Sequence, residues 1–308
     1  MKILVTGAGG QLGYDVCKVL AARNIENKGM DVADFDITDA KAAYDCIIDY
    51  RPDAVIHCAA WTAVDQAEDA PDRVWAVNAE GPRNIAAACR DIGAKMVYTS
   101  TDYVFPGTGE QFYEPDDPTG PLCVYGQTKL GGEMAVQEML DHYFIVRTSW
   151  VFGANGNNFV KTMLHLAESR TQVSVVRDQI GSPTYTADLA PLLCDMITTD
   201  KYGIYHATNE GVCSWAEFAQ EIFRLAGKSV TVRPIPTSEY PTRAVRPLNS
   251  RMSKDKLDKM GFYRLPDWYD ALKRFLGSEE AWCDGKLHAA KAAGLPDSGI
   301  GTIKRGRS

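Results

Sequence analysis

The amino-terminal segment limits the possible folds more than any other part of the chain. Lys2–Thr6 is short, apolar and rich in β-branched residues, which predicts a strand. Three glycines, Gly7, Gly10 and Gly13, then open an amphipathic helix. Glycines at this spacing let the backbone turn tightly, approach a pyrophosphate and pack helix on sheet, while the helix N-terminus supplies amide donors. The segment therefore predicts a dinucleotide site in a parallel α/β sheet; a glycine-rich turn without a ligand is the alternative.

Strands and helices continue to alternate after this unit. Buried strands are predicted over 52–60, 95–100 and 142–148 with helices between them, which is typical of a Rossmann-type, doubly wound parallel sheet. After Gly153 the elements become shorter, as in a smaller C-terminal α/β domain. We predict an NAD(P)-binding Rossmann domain over residues 1–153, joined by returning segments of the second half, and a substrate-binding domain mainly over 154–276. Residues 277–308 have the composition of a disordered tail.

An acidic residue follows the second predicted strand. Asp31 lies about 18 residues after Gly13, where a carboxylate accepts hydrogen bonds from the ribose diol of an adenosine. A carboxylate there would repel a 2′-phosphate, and Lys28 is the only base in this stretch of sequence. The local pattern therefore favours NAD(H).

Small or hydroxyl-bearing residues mark the carboxyl ends of the next two strands. Ala59 and Ala60 leave room for a ligand in the crevice at the sheet edge. Ser100 and Thr101 place hydroxyls at the same edge, where they can hydrogen-bond a substrate carbonyl. His57, inside an apolar run, is expected to be a packed core histidine rather than a base.

Tyr125 and Lys129 form the candidate catalytic pair. Residues four apart lie on one face of a helix, so the phenol is within reach of an ammonium. A nearby cation favours the phenolate, and we therefore expect Lys129 to lower the pKa of Tyr125 towards the range useful for acid–base chemistry. Combined with a dinucleotide turn at the same sheet edge, this pair predicts a hydride-transferring enzyme, in which the cofactor brings the hydride and the protein brings orientation and a proton.

Two further features leave alternatives open. Asn78, on a helix predicted over 71–92, either orients active-site water or backbone or lies on the helix surface. The loop Tyr240–Pro247 is basic in an acidic protein, and its arginines suit either a phosphate clamp or exposed ion pairs.

Composition excludes several classes of function. With 308 residues and a net charge of −7, the chain is long enough for two domains and too acidic for a general nucleic-acid or anionic-membrane surface. It shows no signal-peptide pattern and no apolar run of transmembrane length. The eight cysteines are scattered without metal-ligand spacing, which indicates reduced thiols. We expect a cytoplasmic enzyme or binding protein with no metal site.

Dense, ordered motifs extend this pattern along the chain. They are Ala59–Asp65, Ser100–Gly109, Val124–Leu130, Arg147–Phe152, Gly156–Met163, Asp178–Thr184, Pro236–Thr242 and Arg246–Ser250. The glycine turn and the Tyr/Lys pair are those of the extended short-chain dehydrogenase/reductases. Together the motifs resemble the dTDP-4-dehydrorhamnose reductase family over roughly residues 1–276.

The resemblance implies reduction of dTDP-4-dehydro-β-L-rhamnose to dTDP-β-L-rhamnose by NADPH or NADH, the last step in making this nucleotide sugar for cell-surface polysaccharide. It implies that Tyr125 protonates the C4 keto oxygen, that Lys129 holds the nicotinamide ribose and lowers the Tyr125 pKa, and that Thr101 hydrogen-bonds the reacting oxygen. The implied cofactor contacts are Gly7, Gly10, Gln11, Leu12, Gly13, Asp31, Asp36, Ile37, Ala59, Ala60, Ser100, Tyr125 and Lys129. The implied substrate contacts are Val64, Thr101, Trp150, Asn158, Phe159 and Arg246.

Several alternatives stay open. The segment Gly29–Val32 lacks a base just after its acid, which leaves the choice between NADPH and NADH undecided, and residues 278–308 match nothing in the family. The regulatory β subunit of methionine adenosyltransferase resembles the same family and keeps the Tyr/Lys motif, so a non-catalytic NADP-binding role is one alternative. A 4-epimerase or a reductase of another nucleotide sugar is a second. The oligomeric state is also open, with a homodimer among the possibilities.

Overall fold

The structure is a computed structural model that describes residues 1–278, so the predicted tail falls almost entirely outside the described residues. The strands are β1 Lys2–Thr6, β2 Glu26–Met30, β3 Ala54–His57, β4 Lys95–Thr101, β5 Tyr143–Thr148, β6 Val151–Phe152, β7 Gln172–Val176, β8 Ile180–Gly181, β9 Thr184–Tyr185, β10 Gly203–His206, β11 Asn209–Glu210, β12 Cys213–Ser214, β13 Thr231–Ile235, β14 Asn249–Ser250 and β15 Leu265–Asp267. The α-helices are α1 Gln11–Ala22, α2 Ala40–Tyr50, α3 Val64–Ala67, α4 Pro71–Trp75, α5 Gly81–Ile92, α6 Val124–Met139, α7 Phe159–Leu166, α8 Thr186–Met196, α9 Trp215–Leu225, α10 Asp255–Lys259 and α11 Trp268–Leu276.

A six-stranded sheet in the order β10-β5-β4-β3-β1-β2 forms the larger half, and all of its strand pairs are parallel. Both faces are covered, which is why its central strands are nearly continuous apolar runs. Ile3 and Ile56 face a core shared with α8, whereas Leu4 and Val55 face a core shared with α2 and α5. The predicted Rossmann-type, doubly wound parallel sheet is confirmed.

The smaller α/β half surrounds a second apolar core rich in aromatic side chains. Phe152, Phe218 and Phe275 lie at its centre and are almost fully buried. The first helix of this core, α7, is capped by Asn158, and α9 begins with a capping box in which Ser214 and Glu217 exchange hydrogen bonds. Between α7 and α9 the chain returns to the larger half through α8 and β10. The boundary at residue 153 stays a prediction.

The prediction of one continuous helix over 71–92 is wrong, because the helix is interrupted. A π-helical turn, Ala76–Glu80, separates α4 from α5. Pro82 lacks the N–H that would donate to the Asn78 carbonyl in a regular α-helix. That carbonyl oxygen instead accepts a hydrogen bond from the Tyr98 hydroxyl at 3.2 Å.

No helix within residues 1–278 combines the length and the apolar character that crossing a bilayer requires.

Candidate active site

The glycine turn between β1 and α1 leaves open backbone at the carboxyl edge of the sheet. Gly7 has a φ of +67°, and a Cβ there would lie 2.6 Å from the Ala59 backbone nitrogen at the end of β3. A Cβ on Gly13 would collide with the Gly7 carbonyl oxygen. Among the described residues, no side chain caps α1, whose N-cap is Gly10. The first-turn amides of α1 are therefore available to an anion such as a pyrophosphate.

The acid after β2 faces this turn. One oxygen of Asp31 accepts from the Gly9 amide at 2.8 Å, and the other accepts from the Val32 amide at 2.8 Å. Lys28 is directed away, over the Tyr50 ring at 5.6 Å. The carboxylate thus stands next to the dinucleotide turn without a compensating lysine, as the sequence predicts.

The other predicted cofactor residues differ in how far they are buried and in what they contact. Leu12 packs against the larger core, and Ala60 is half-buried just beyond β3. Ile37 packs at the start of α5, where a Cβ on Gly81 would touch its side chain. Asp36 is exposed and accepts from the Thr38 amide and hydroxyl, so its carboxylate belongs to a local turn.

Thr101 and Tyr125 meet at the end of β4. Thr101 is buried, Tyr125 is partly exposed at the first turn of α6, and the Thr101 hydroxyl is near enough to the phenol to act on its pKa. The Tyr103 ring packs edge-on against the Tyr125 ring, with 5.3 Å between centroids. The structure therefore brings the predicted hydroxyl and the predicted proton donor together.

Lys129 lies one turn further along α6 and is 2% exposed. Its Nζ donates to the Thr99 carbonyl oxygen at 2.7 Å and lies 4.1 Å from the centre of the Tyr98 ring. Burial lowers the pKa of Lys129 to about 7, although the nearby Glu133 raises it.

The prediction that Lys129 lowers the pKa of Tyr125 is wrong for the protein groups in this structure. Burial raises the Tyr125 pKa well above its usual value, and the nearby Asp102 carboxylate raises it further. The Thr101 hydroxyl acts in the opposite direction. The phenol therefore keeps its proton at neutral pH.

A buried ion pair behind this site was not anticipated. Glu133 accepts two hydrogen bonds from the Arg147 guanidinium, at 2.9 and 2.7 Å, and both side chains are almost fully buried. The Ser100 hydroxyl donates to the same carboxylate at 2.5 Å. Glu133 is four residues after Lys129, so a third member of the Tyr/Lys helical face could have been read from the spacing.

Asn78 is buried rather than a helix-surface amide. Its side chain accepts from the Trp61 amide at 2.8 Å and donates to the Trp61 carbonyl oxygen at 3.1 Å. It also donates to the Thr128 hydroxyl on α6 at 3.2 Å. Asn78 therefore ties the loop after β3 to the helix that carries Tyr125.

Trp150, one of the predicted substrate residues, lies in an aromatic wall. Its backbone has a φ of +51°, and its ring stacks on Trp215 with 3.8 Å between centroids. Phe159 packs on the other ring of this pair, 4.5 Å from Trp215. Val64 begins α3, on the loop that follows β3.

Asn158 and Asn155 join the glycine turn to the smaller half. Asn158 donates to the Gln11 side-chain oxygen at 3.1 Å. Asn155 donates to the Gly9 carbonyl oxygen at 2.6 Å. Gln11 and Asn158, predicted on opposite sides of the site, are thus in direct contact.

The two arginines of the basic loop differ. Arg243 forms an exposed ion pair with Asp69. Arg246 is half-buried, donates to Asp65 at 2.6 Å and reaches the Tyr103 hydroxyl at 3.2 Å. The loop contributes one surface ion pair and one arginine beside the ring that packs on Tyr125.

In the part of the chain that the structure describes, no group of three or more His, Cys, Asp or Glu residues is placed to hold a metal ion.

Comparison with known proteins agrees with this geometry. The family model described as the RmlD substrate binding domain matches residues 1–280. A dTDP-4-dehydrorhamnose reductase of Streptomyces griseus is 45% identical over 276 residues, which cover 87% of this chain and 91% of that protein. The crystal structure of a dTDP-4-dehydrorhamnose reductase from Clostridium acetobutylicum has a TM-score of 0.88 at 43% identity, covering 90% of this chain and 98% of that one. The reductase of Bacillus anthracis, solved in complex with NADP, has a TM-score of 0.87 at 44% identity, covering 89% and 99%. The chain therefore belongs to the dTDP-4-dehydrorhamnose reductase family of oxidoreductases.

Proposed function

We propose that this chain reduces the C4 keto group of dTDP-4-dehydro-β-L-rhamnose to dTDP-β-L-rhamnose, with NADPH or NADH as the reductant. One observation carries the proposal: the Tyr125 phenol, beside Thr101 and one helical turn from Lys129, stands at the same sheet edge as the open glycine turn. Family membership supports the same reaction.

Tyr125 is the proton donor of this reaction. Hydride addition to a ketone leaves an alkoxide, which is strongly basic and takes a proton from a phenol readily. The raised pKa of Tyr125 keeps the phenol protonated at neutral pH, which is the state that a reduction needs. Thr101 supplies a second hydrogen-bonding group for the reacting oxygen.

Lys129 holds the nicotinamide ribose. An ammonium has three donors, and one of them is directed to the Thr99 carbonyl oxygen. The others suit ribose hydroxyls. A lysine with a pKa near 7 also gains and loses a proton easily at neutral pH, which suits it to replenish the proton of Tyr125.

The glycine turn and Asp31 fit two parts of a dinucleotide, the pyrophosphate and the adenosine ribose. The uncapped amides of α1 suit the pyrophosphate, and the Asp31 carboxylate suits a ribose diol. When bound, NADPH or NADH supplies the hydride. Asp31 without a neighbouring base favours NADH, whereas the relative from Bacillus anthracis was solved with NADP.

The smaller half supplies the substrate side. Val64, Trp150 and Phe159 give apolar and aromatic surface for the sugar and base, and Asn158 adds an amide near Gln11. Arg246, held by Asp65, would bind the pyrophosphate of the nucleotide sugar, since a planar fork of donors matches phosphate oxygens.

The test is oxidation of NADPH and of NADH by the purified protein, with the 4-keto sugar nucleotide generated in situ. We expect wild type to consume one reduced cofactor per substrate. Tyr125→Phe should lose at least about 100-fold in kcat because the proton donor is gone. Tyr269→Phe, on α11 and remote from the site, is the matched control and should keep full activity.

Other outcomes identify the alternatives. Tight cofactor binding without oxidation would contradict the proposal and indicate a regulatory subunit. Conversion of the sugar without net loss of reduced cofactor would indicate an epimerase.

A further inference from the structure

The buried ion pair between Glu133 and Arg147 takes no part in the proposed reaction, yet it lies directly behind the buried Lys129. Both of its side chains are almost fully buried. Taking two charges out of water is costly, and apolar side chains of similar size often give an equally stable core. Stability alone therefore does not account for the pair, and its surroundings indicate a role in the site.

Strand β4 brings the carboxylate of this pair close to the ammonium. Lys129 Nζ donates to the Thr99 carbonyl oxygen at 2.7 Å. The next residue of the strand, Ser100, donates its hydroxyl to Glu133 Oε1 at 2.5 Å. Lys129 and Glu133 are also one turn apart on the buried side of α6. The two opposite charges are thus anchored to consecutive residues of one strand.

The cation of the pair is engaged elsewhere. Arg147 lies on β5, opposite Ser100 of β4. Its Nη1 donates to the Pro115 carbonyl oxygen at 2.9 Å, and its guanidinium lies 4.9 Å from the centre of the Phe105 ring. Burial, and after it this guanidinium, lowers the pKa of His206 to about 3. The positive end of the pair therefore acts on the loop after β4 and on β10.

The other titratable side chains around the Lys129 ammonium are neutral at pH 7. They are the Cys58 thiol, the His57 imidazole, the Tyr98 phenol and the Tyr125 phenol. Burial raises the pKa of the thiol and of both phenols, and it lowers the pKa of the imidazole to about 3. Burial also lowers the pKa of Lys129, and Glu133 is the group that most opposes this effect.

We propose that Glu133, itself held by Arg147 and Ser100, is a positioning residue that keeps the Lys129 side chain in its ammonium form at neutral pH. The ammonium form has three donors, one for the Thr99 carbonyl oxygen and two for ribose hydroxyls. Arg147 gives the buried carboxylate its counter-charge. The inference rests on the proposed function, in which Lys129 holds the nicotinamide ribose, and the effect of Glu133 passes through Lys129.

A direct test is the titration of Lys129 by carbon-13 NMR of full-length protein labelled at the lysine Cε. The resonance of Lys129 is the one that Lys129→Met removes, and its midpoint should lie near pH 7 in wild type. Glu133→Gln keeps an acceptor for Ser100 but no charge, so it should lower the midpoint by about 1 pH unit. Glu138→Gln, which removes an exposed ion pair between α6 and Arg83, is the control and should leave the midpoint within about 0.2 pH unit.

Cofactor oxidation gives a second readout. If the ammonium form holds the ribose, kcat/KM for the reduced cofactor should follow the protonated fraction of Lys129. Glu133→Gln should then lose about tenfold at about pH 8 and less than about twofold at about pH 5.5. A replacement that only disturbed the packing of α6 would lower kcat/KM at every pH.

A paired replacement, Glu133→Gln with Arg147→Met, keeps the inference testable if Glu133→Gln does not fold, because it leaves no buried charge without a partner. It should lower the Lys129 midpoint less than Glu133→Gln does, since a cation is removed together with the carboxylate. An unchanged midpoint in the folded variants, or an equal loss of kcat/KM at all pH values, would overturn the inference. Wild type that oxidises no cofactor would contradict the proposed reaction instead, and the NMR titration distinguishes the two failures because it does not depend on turnover.

Discussion

At the scale of single residues, the site contains a cation that the fold does not favour. Lys129 is buried in α6, and its pKa falls from an ordinary 10.5 to about 7. Because the unfolded chain binds this proton more tightly, the buried ammonium destabilises the fold in full below about pH 7. The loss of stability shrinks as the pH rises towards 10.5, since the side chain is then neutral in the folded protein and progressively also in the unfolded chain.

Lys129→Met should therefore stabilise the protein while abolishing reduction. We expect the free energy of unfolding to rise by at least about 1 kcal/mol near pH 6, with the gain declining towards about pH 10. Thermal unfolding at several pH values measures the difference. Lys228→Met, at an exposed lysine, is the control and should show no such pH dependence. A gain independent of pH would show that packing, rather than charge burial, is responsible.

At the scale of elements, the π-helical turn between α4 and α5 places Asn78 so that its backbone and its side chain both contact residues around the candidate site. Single π turns inside helices are often found at functional sites. Here the wider turn frees the Asn78 carbonyl for Tyr98, the residue whose ring lies under the Lys129 ammonium. The Asn78 amide meanwhile binds both backbone polar groups of Trp61. Asn78 thus joins β4, the loop after β3 and α6.

Asn78→Ala should destabilise the protein more than replacement of an asparagine that makes a single side-chain hydrogen bond. It removes three side-chain hydrogen bonds and leaves buried partners unpaired, so we expect a loss of about 2–3 kcal/mol in the free energy of unfolding. Asn84→Ala, on α5, removes a hydrogen bond to the Ile37 carbonyl oxygen and should cost about 1 kcal/mol. Urea unfolding with equal m-values gives both numbers. Equal losses would contradict a bridging role for Asn78.

These elements also show which parts of the fold can be predicted from the sequence. Apolar runs and helical spacing sufficed for the sheet, for α6 and for the strand ends that carry Thr101 and Ala59, because each depends on local sequence. The π turn depends on the backbone N–H that Pro82 lacks and on the position of the Tyr98 hydroxyl. The position of Tyr98 relative to this helix cannot be read from the local sequence. The pKa of Tyr125 was predicted in the wrong direction because burial, a tertiary property that spacing does not reveal, raises it.

At the scale of the whole molecule, the two halves are joined by polar contacts that sequence could not pair. The Arg274 guanidinium on α11 forms two bonds of 2.7 Å to Asp188 on α8, which itself packs against α1. Thr186, also on α8, donates to the buried Asp15 of α1 at 2.5 Å. Each pair spans more than eighty residues of chain. The core of the smaller half and one core of the larger half are therefore connected through one helix, α8.

Because α8 contacts both cores, we predict that the protein unfolds in a single cooperative transition. Phe275→Ala empties space in the smaller core, where Phe152 and Tyr185 pack on its ring, and should lower the free energy of unfolding by about 3–5 kcal/mol. Tyr269→Ala, on the exposed face of the same helix, should cost about 1 kcal/mol or less.

The two halves can be followed separately in the Phe275→Ala protein. Trp150, Trp215 and Trp268 border the smaller core, so in a background that carries Trp61→Phe and Trp75→Phe the tryptophan fluorescence reports mainly on that half, while far-ultraviolet circular dichroism follows the whole chain. If α8 couples the cores, both signals shift together to a lower urea midpoint with the m-value unchanged. Fluorescence that changes first, with helix content lost in a second step, would mean that the smaller half unfolds by itself and that α8 does not couple the cores.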